Sequence, residues 1–352
     1  MRAMGGVRMR AGRAVRAGAA AAVCALGVAT AIFVPAALDD QGDGGGSGRG
    51  EGSGVQPRAA RTTAATTAEK CVRPEASLRP SSASGPAIQR IKNRKVDGHR
   101  LGKLIAGVDQ NSYRWGYRDP ATGDLTGFDI ELVRAIAKDI FGDPDAVIYR
   151  AIPTSQRVKA LQQGKVDIVV RTMTINCDRL KDVAFSTAYF KAGQQVLVPK
   201  GSSVTGYNSS LRGKRVCTAQ GSTAEAELDK EKDGAEDLGA IKVDPVPNQL
   251  DCLVRLQLGQ VDAVITDNAL AAGQAAQDPS VKLVGKPFTE EFYGVAMNKS
   301  DEDLVRRVNK VLEAYRSGGD NSPWMRAYRK WLAEDLGRTE ENPAAPAPAY
   351  KD

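Results

Sequence analysis

The chain has 352 residues, enough for two lobes that each bury a core of their own. Charged residues make up 26% and hydrophobic ones 42%, an ordinary balance for a soluble protein. The formal charge of +7 would suit nucleic acid, but Arg2, Arg8, Arg10, Arg13 and Arg16 all precede an N-terminal apolar run, and no aromatic-basic interleaving follows; no nucleic-acid partner is expected.

Residues 1–38 read as a targeting segment. The arginines lead into an apolar run over residues 17–38, interrupted only by Thr30 and Pro35. That run is longer than a usual signal-peptide core and close to the span of a membrane helix. It is either cleaved after a small residue such as Ala37 or kept as a signal anchor. Residues 39–87 are rich in Gly, then in Ala/Thr/Arg, then in Pro/Ser. A stretch of that kind buries too little apolar surface to offset its ordering entropy, so a flexible tether is expected. The Pro/Ala tail over residues 339–352 is expected to be disordered as well.

Ordered structure is expected from about Ile88. Residues 101–108 read as a strand ending at Asp109. Apolar residues Ile130, Leu132, Val133, Ile136, Ala137 and Ile140 recur at helical spacing, which predicts a helix over residues 128–141. A strand over 147–151 and a short helix over 156–163 follow. This alternation implies an α/β sheet with helices on its faces, and sites in such sheets lie beyond the carboxyl ends of the strands.

The stretch over residues 166–190 carries the clearest signal. Val166, Ile168, Val169 and Val170 form a β-branched run, followed abruptly by Arg171, Thr172 and Thr174. Asn176 can cap a helix with Asp178 and Arg179 in its first turn and Leu180, Val183 and Ala184 on its inner face. A strand that empties into a helix N-terminus offers unpaired N–H groups, and these suit an anion. A second lobe repeats the layout. It has strands over 195–199, 214–217 and 263–266, a helix over 222–228 with a Ser222/Glu225 capping box, a helix over 249–258, and a strand over 293–298 returning to the first lobe. A helix built on Leu304, Val305, Val308, Val311 and Leu312 closes that lobe, with Trp324, Tyr328 and Trp331 expected in the core. The expected domains are therefore 88–194 with 293–338 for the first lobe and 195–292 for the second.

Several of these pieces form a pattern. Gly127-Phe128-Asp129, Gly164-Lys165-Val166-Asp167, the Thr172 to Arg179 run and Phe185-Ser186-Thr187-Ala188-Tyr189 are followed by Gly221-Ser222-Thr223 and by the run from Val261 to Asp267. In this order they resemble the polar amino-acid binding proteins that feed ABC importers, with the type 2 periplasmic-binding-protein fold of two lobes and a hinge of two crossing strands. The resemblance covers about residues 101–331. The cysteine contexts at Gly213 to Cys217 and Asp251-Cys252 are similar to the actinobacterial glutamate/aspartate/glutamine-binding branch.

The resemblance implies roles for particular residues. Arg179 would grip the α-carboxylate through two parallel charged hydrogen bonds. Thr174, with Ser222 or Thr223, would add donors. Asp267 would accept from the α-ammonium, helped by acceptors around Thr172. Arg171 stands where relatives often have a small residue. A second cation there suits a second carboxylate, so glutamate or aspartate is favoured, with glutamine or asparagine tolerated if Gln220 or Asp109 shares the side-chain end. The alternative is that Arg171 only pairs with Asp109 or Asp167. Arg157 matches a frequent family arginine whose contact is either ligand or backbone, and Tyr113, Trp115 and Tyr117 either roof the ligand's stem or pack against the loop.

Leaving aside Cys24, which lies inside the apolar run and does not fit a lipid-anchor site, four cysteines remain. An even count in an exported protein favours disulfides and allows three pairings. Cys217 and Cys252 fall in one expected lobe and are the expected pair, leaving Cys71 with Cys177. With no CxxC and a single histidine, His99, no metal or other cofactor is expected. Three functions compete. The first is an extracytoplasmic, membrane-tethered, monomeric binding protein that delivers an amino acid to an ABC permease. The second is a tethered sensor signalling to a membrane partner. The third is an enzyme, since some members of this fold are dehydratases, but it would need a placed general acid or base and the expected cleft offers only carboxylates already assigned to the ammonium.

Overall fold

The computed structural model describes residues 71–234, 238, 240–337 and 344–352. The targeting segment and the tether up to residue 70 lie outside the described residues.

Two five-stranded sheets define two lobes. In the first, the strand order is Val147–Ala151, Leu104–Val108, Ile168–Val169, Ala296–Asn298, Val183–Phe185. In the second it is Lys242–Val246, Arg215–Ala219, Ala263–Asp267, Gln194–Pro199, Val281–Val284. Both have three parallel strands followed by an antiparallel one that has crossed over from the other lobe's part of the chain. The crossing is made by Phe190–Ala192 and Glu291–Tyr293, an antiparallel pair that forms the hinge. The return segment expected as one strand over 293–298 is therefore two, with Gly294 and Val295 at the break.

The sequence pattern explains the core. The helix Phe128–Phe141 falls where the periodicity put it and buries Ile130, Leu132, Val133, Ile136 and Ile140 against the first sheet. Trp324 and Tyr328 are buried beside Phe128, as expected, and Trp331 packs at the margin. The helix after Asn176 is shorter than the apolar spacing suggested. It spans Cys177–Leu180, and Val183 and Ala184 belong instead to an edge strand paired with Ala296–Asn298. A β-branched valine next to the returning strand gains more from the sheet than from another helical turn.

The limits placed on order need correction at both ends. The helix Pro86–Asn93 buries Ile88 and Ile91, and the chain before it already packs on the first lobe. Ser77 is buried, its Oγ donates to the Phe185 carbonyl at 2.6 Å, and Asn309 donates to Ser77 Oγ at 2.9 Å. The tail is not loose over residues 344–352. Ser77 N–H donates to the Ala349 carbonyl at 2.9 Å, Lys351 N–H donates to the Ser77 carbonyl at 3.0 Å, and Asp352 pairs with Arg306. These are polar backbone contacts with no hydrophobic period, which is why composition pointed the other way. Both expected disulfides are present, Cys71–Cys177 and Cys217–Cys252. His99 is exposed in a small hairpin.

Candidate functional site

The lobes meet around a small hollow of about 30 Å³. The first lobe contributes Ser112, Thr154, Arg157, Arg171, Thr172, Thr174 and Arg179 to its wall. The second contributes Ser222, Thr223, Gln249, Thr266, Asp267 and Leu270, with Ala219 and Ala224 between them. In a larger hollow on the outer face of the first lobe, Lys330 pairs with Glu131 at 2.8 Å and Arg134 with Asp145 at 2.5 Å. The interlobe hollow is where side chains from distant motifs converge.

Three of those motifs meet at Thr172, which adopts a left-handed backbone (φ 42°), uncommon for a β-branched residue. Its N–H donates to Asp129 Oδ2 at 3.0 Å, and Tyr189 OH donates to Asp129 Oδ1 at 2.8 Å. The aspartate of the Gly-Phe-Asp run and the tyrosine of the Phe-Ser-Thr-Ala-Tyr run thus hold the strand end in place from below. Burial pushes the Asp129 carboxyl up to about 7, against the two hydrogen bonds that lower it.

Arg179 is set by its cap. Asn176 Oδ1 accepts from the Arg179 N–H at 2.9 Å, and the guanidinium donates to the Thr174 carbonyl at 2.7 Å and to the Gly221 carbonyl of the second lobe at 3.2 Å. Arg157 reaches the same Gly221 carbonyl at 3.3 Å and the Thr154 carbonyl at 2.9 Å. Gly221 is required at this contact. Its φ is 74°, and a Cβ there would lie 2.9 Å from the Ser155 backbone across the cleft. Burial, then Arg179 and Arg171, push the Arg157 guanidinium well below its ordinary range. Since a guanidinium keeps its proton in proteins, that cost amounts to a demand for an anion.

Arg171 is buried with its Nη2 2.9 Å from Asp109 Oδ2 and its Nη1 donating to Thr154 Oγ1 at 2.8 Å. The ion pair with Asp109 forms; Asp167 instead pairs with Arg94. Asp109, which also accepts from Ser112 Oγ at 2.7 Å, stands behind Arg171 and is not in the wall. Gln220 is exposed, its N–H bonded to the Val246 carbonyl, and it too is outside the wall. These two positions correct the expectation that one of them shares the ligand's side-chain end. Tyr113, Trp115 and Tyr117 do not line the hollow either. Trp115 is core, edge-on to Phe128 and Phe190, and its Nε1 donates to the Ala269 carbonyl of the second lobe at 3.2 Å.

At the opposite end lies a carboxylate pair. Asp267 accepts from Tyr293 OH and from Gln194 Nε2, and Gln194 Nε2 also donates to Glu291 at 2.8 Å. Glu291, buried on the hinge strand, accepts from Thr174 Oγ1 of the first lobe and from Thr223 Oγ1 of the second at 3.0 Å. The two threonines were expected as donors to the ligand. Both hydroxyls donate to Glu291, and Thr223 Oγ1 also accepts from Gln194 Nε2 at 3.1 Å. Burial first, and then Glu291, push the Asp267 carboxyl up to about 7. Ser222 Oγ accepts from the Glu225 N–H at 3.1 Å, while Glu225 reaches back to the Gly221 N–H rather than to Ser222, so the capping box is shifted by one residue. Glu291 was missed in the sequence: one of two adjacent acids at the start of a three-residue strand, it has no periodicity to mark it. Among the described residues no group of three His, Cys, Asp or Glu side chains could hold a metal ion.

One wall carries three guanidinium groups and the other a buried carboxylate backed by a second, with a hinge between. That is the layout of a two-lobed binding protein for a small zwitterion. Residues 104–334 match the bacterial extracellular solute-binding proteins, family 3, and the chain belongs to that family. It is 35% identical over 233 residues to the ABC transporter glutamine-binding protein GlnH of Bacillus subtilis (66% of this chain, 82% of the relative). It is 28% identical over 251 residues to the glutamate-binding protein GluB of Corynebacterium efficiens (68% and 81%). Among solved structures, an ancestral arginine-binding protein bound to glutamine superposes with a TM-score of 0.59 at 37% identity (68% and 100%). These relatives are binding proteins rather than enzymes.

Proposed function

We propose that this protein binds a free amino acid with an acidic or amide side chain outside the cytoplasm, glutamate or aspartate foremost and glutamine or asparagine tolerated, and delivers it to an ABC permease. The observation that carries the reading is the charge of the wall: Arg157, Arg171 and Arg179 face the single lining carboxylate Asp267. A zwitterion with an extra carboxylate balances such a wall better than a neutral or cationic one. Arg179 takes the α-carboxylate, Asp267 with the lone pairs of Thr174 and Thr223 takes the ammonium, and Arg171 with Arg157 faces the side-chain end. Closure about the Phe190–Ala192 and Glu291–Tyr293 strands completes the site.

The relatives named for glutamine and glutamate support this reading. We further propose that the protein acts as a monomer, exported by residues 1–38 and tethered to the outer face of the membrane; separately, no helix among the described residues is long and apolar enough to cross a membrane. Fluorescence of Trp115, whose indole bonds across the lobe boundary, provides a test with the exported part of the chain. Glutamate, aspartate and their amides should each give a saturable change. A response to arginine or cysteine alone would overturn the assignment.

A further inference from the structure

Gln249 opens the helix Gln249–Gln257 of the second lobe and lines the hollow. It is 5% exposed, and its Nε2 is buried without a hydrogen-bond partner among the described residues. A buried amide N–H left unpaired costs about 1–3 kcal/mol, which an acceptor on a ligand in the hollow would relieve; the neighbouring Gln274 Oε1 is likewise unpaired. The residue is held firmly. Its carbonyl accepts from Gln274 Nε2 at 2.9 Å, Asp251 caps the preceding Asn248 N–H at 3.1 Å, and Cys252 ties the helix to the strand Arg215–Ala219.

Its place in the hollow is the Arg171 end. The helix packs on the strand Asn111–Ser112, whose Ser112 bonds Asp109 behind Arg171. Two residues before Gln249, the Pro247 carbonyl accepts from the N–H of Thr154, the same residue whose hydroxyl accepts from Arg171. Arg171 Nε has no hydrogen-bond partner among the described residues, whereas its Nη2 is taken by Asp109 at 2.9 Å. Under-bonded donors from both lobes therefore gather at one end of the cavity, away from Asp267 and Glu291.

We propose that Gln249 is a specificity-determining residue that, with Arg171, receives the end of the bound amino acid's side chain, an inference that rests on the proposed function above. Arg171 is a fixed donor. The Gln249 amide presents either its NH₂ or its carbonyl oxygen after a half-turn of the last bond, so it donates to a carboxylate and accepts from a carboxamide. Glutamate and glutamine are both accommodated for that reason.

The test is calorimetry of wild type, Gln249→Glu and Gln249→Met with glutamate, glutamine and alanine, circular dichroism confirming the fold. Gln249→Glu should weaken glutamate by about tenfold or more relative to glutamine, since a carboxylate repels one and accepts from the other. Gln249→Met, similar in shape but without a polar end, should weaken both by about five- to tenfold and leave alanine within about twofold. An unchanged glutamate-to-glutamine ratio in folded Gln249→Glu, or unchanged affinity for both ligands in folded Gln249→Met, would overturn the role of Gln249 while leaving the proposed function intact. Absence of binding by wild type would instead overturn the function itself.

Discussion

The Arg171 guanidinium stands 2.9 Å from the Asp109 carboxylate, with both side chains buried. A buried pair of this kind contributes little net stability, yet removing one partner is costly because the other charge is left alone. Asp109→Asn should therefore destabilise the protein by about 3 kcal/mol in chemical denaturation. Arg171→Ala should weaken glutamate and aspartate by about tenfold or more relative to their amides, since it deletes a charge-assisted contact. Equal losses for acids and amides would leave Arg171 a purely structural ion pair.

Asp267 makes the protein sensitive to pH in a defined direction. Its carboxyl is raised from an ordinary value near 3.8 to about 7, so between those limits the folded state holds a proton that the unfolded chain releases. Its contribution is fully present below pH 3.8 and is lost as pH rises toward 7. The thermal midpoint of the ligand-free protein should fall across that window, and Asp267→Asn should reduce the fall. The ligand's ammonium supplies the missing countercharge. Affinity for an amino acid should accordingly drop as pH is lowered below about 7, and the Asp267→Asn variant should bind weakly at every pH. Asp129 shifts in the same window but lies below Thr172, and its contribution persists in that variant.

Gly221 of the second lobe lies close against Ser155 of the first. Gly221→Ala sets a Cβ against the Ser155 backbone and strains a left-handed residue. It should weaken every ligand by a similar factor, about tenfold, and leave the protein more open by small-angle scattering in saturating ligand. Selective loss of one ligand would mean that the contact is not about closure.

The Cys71–Cys177 disulfide sits two residues from Arg179, in a helix of only four residues. So short a helix does not hold its own geometry. Replacing both cysteines by serine should lower affinity while the lobes stay folded. Combined with Arg179→Ala, the two losses should not add, as expected when one acts through the other.

The legible and illegible parts of this chain differ in the range of their interactions. The helix Phe128–Phe141 and the strand Val147–Ala151 carry their own period and were readable to the residue. Arg179 and Asp267 were recognisable through their motifs, and the cysteine pairing through the lobes they occupy. Glu291 bonds Thr174 across 117 positions, and Gln249 matters through an unmet hydrogen bond; neither leaves a local trace. The strap from Cys71 and the tail to Asp352 misled for the opposite reason. Their composition lacks a hydrophobic pattern, but each is held by polar contacts to the other and to Arg306 and Asn309.

The most direct measurement is isothermal calorimetry of residues 71–352 with the proteinogenic amino acids. Glutamate or aspartate should bind at micromolar affinity or tighter, about −8 kcal/mol, with their amides following. No heat with any of these four ligands would contradict the account.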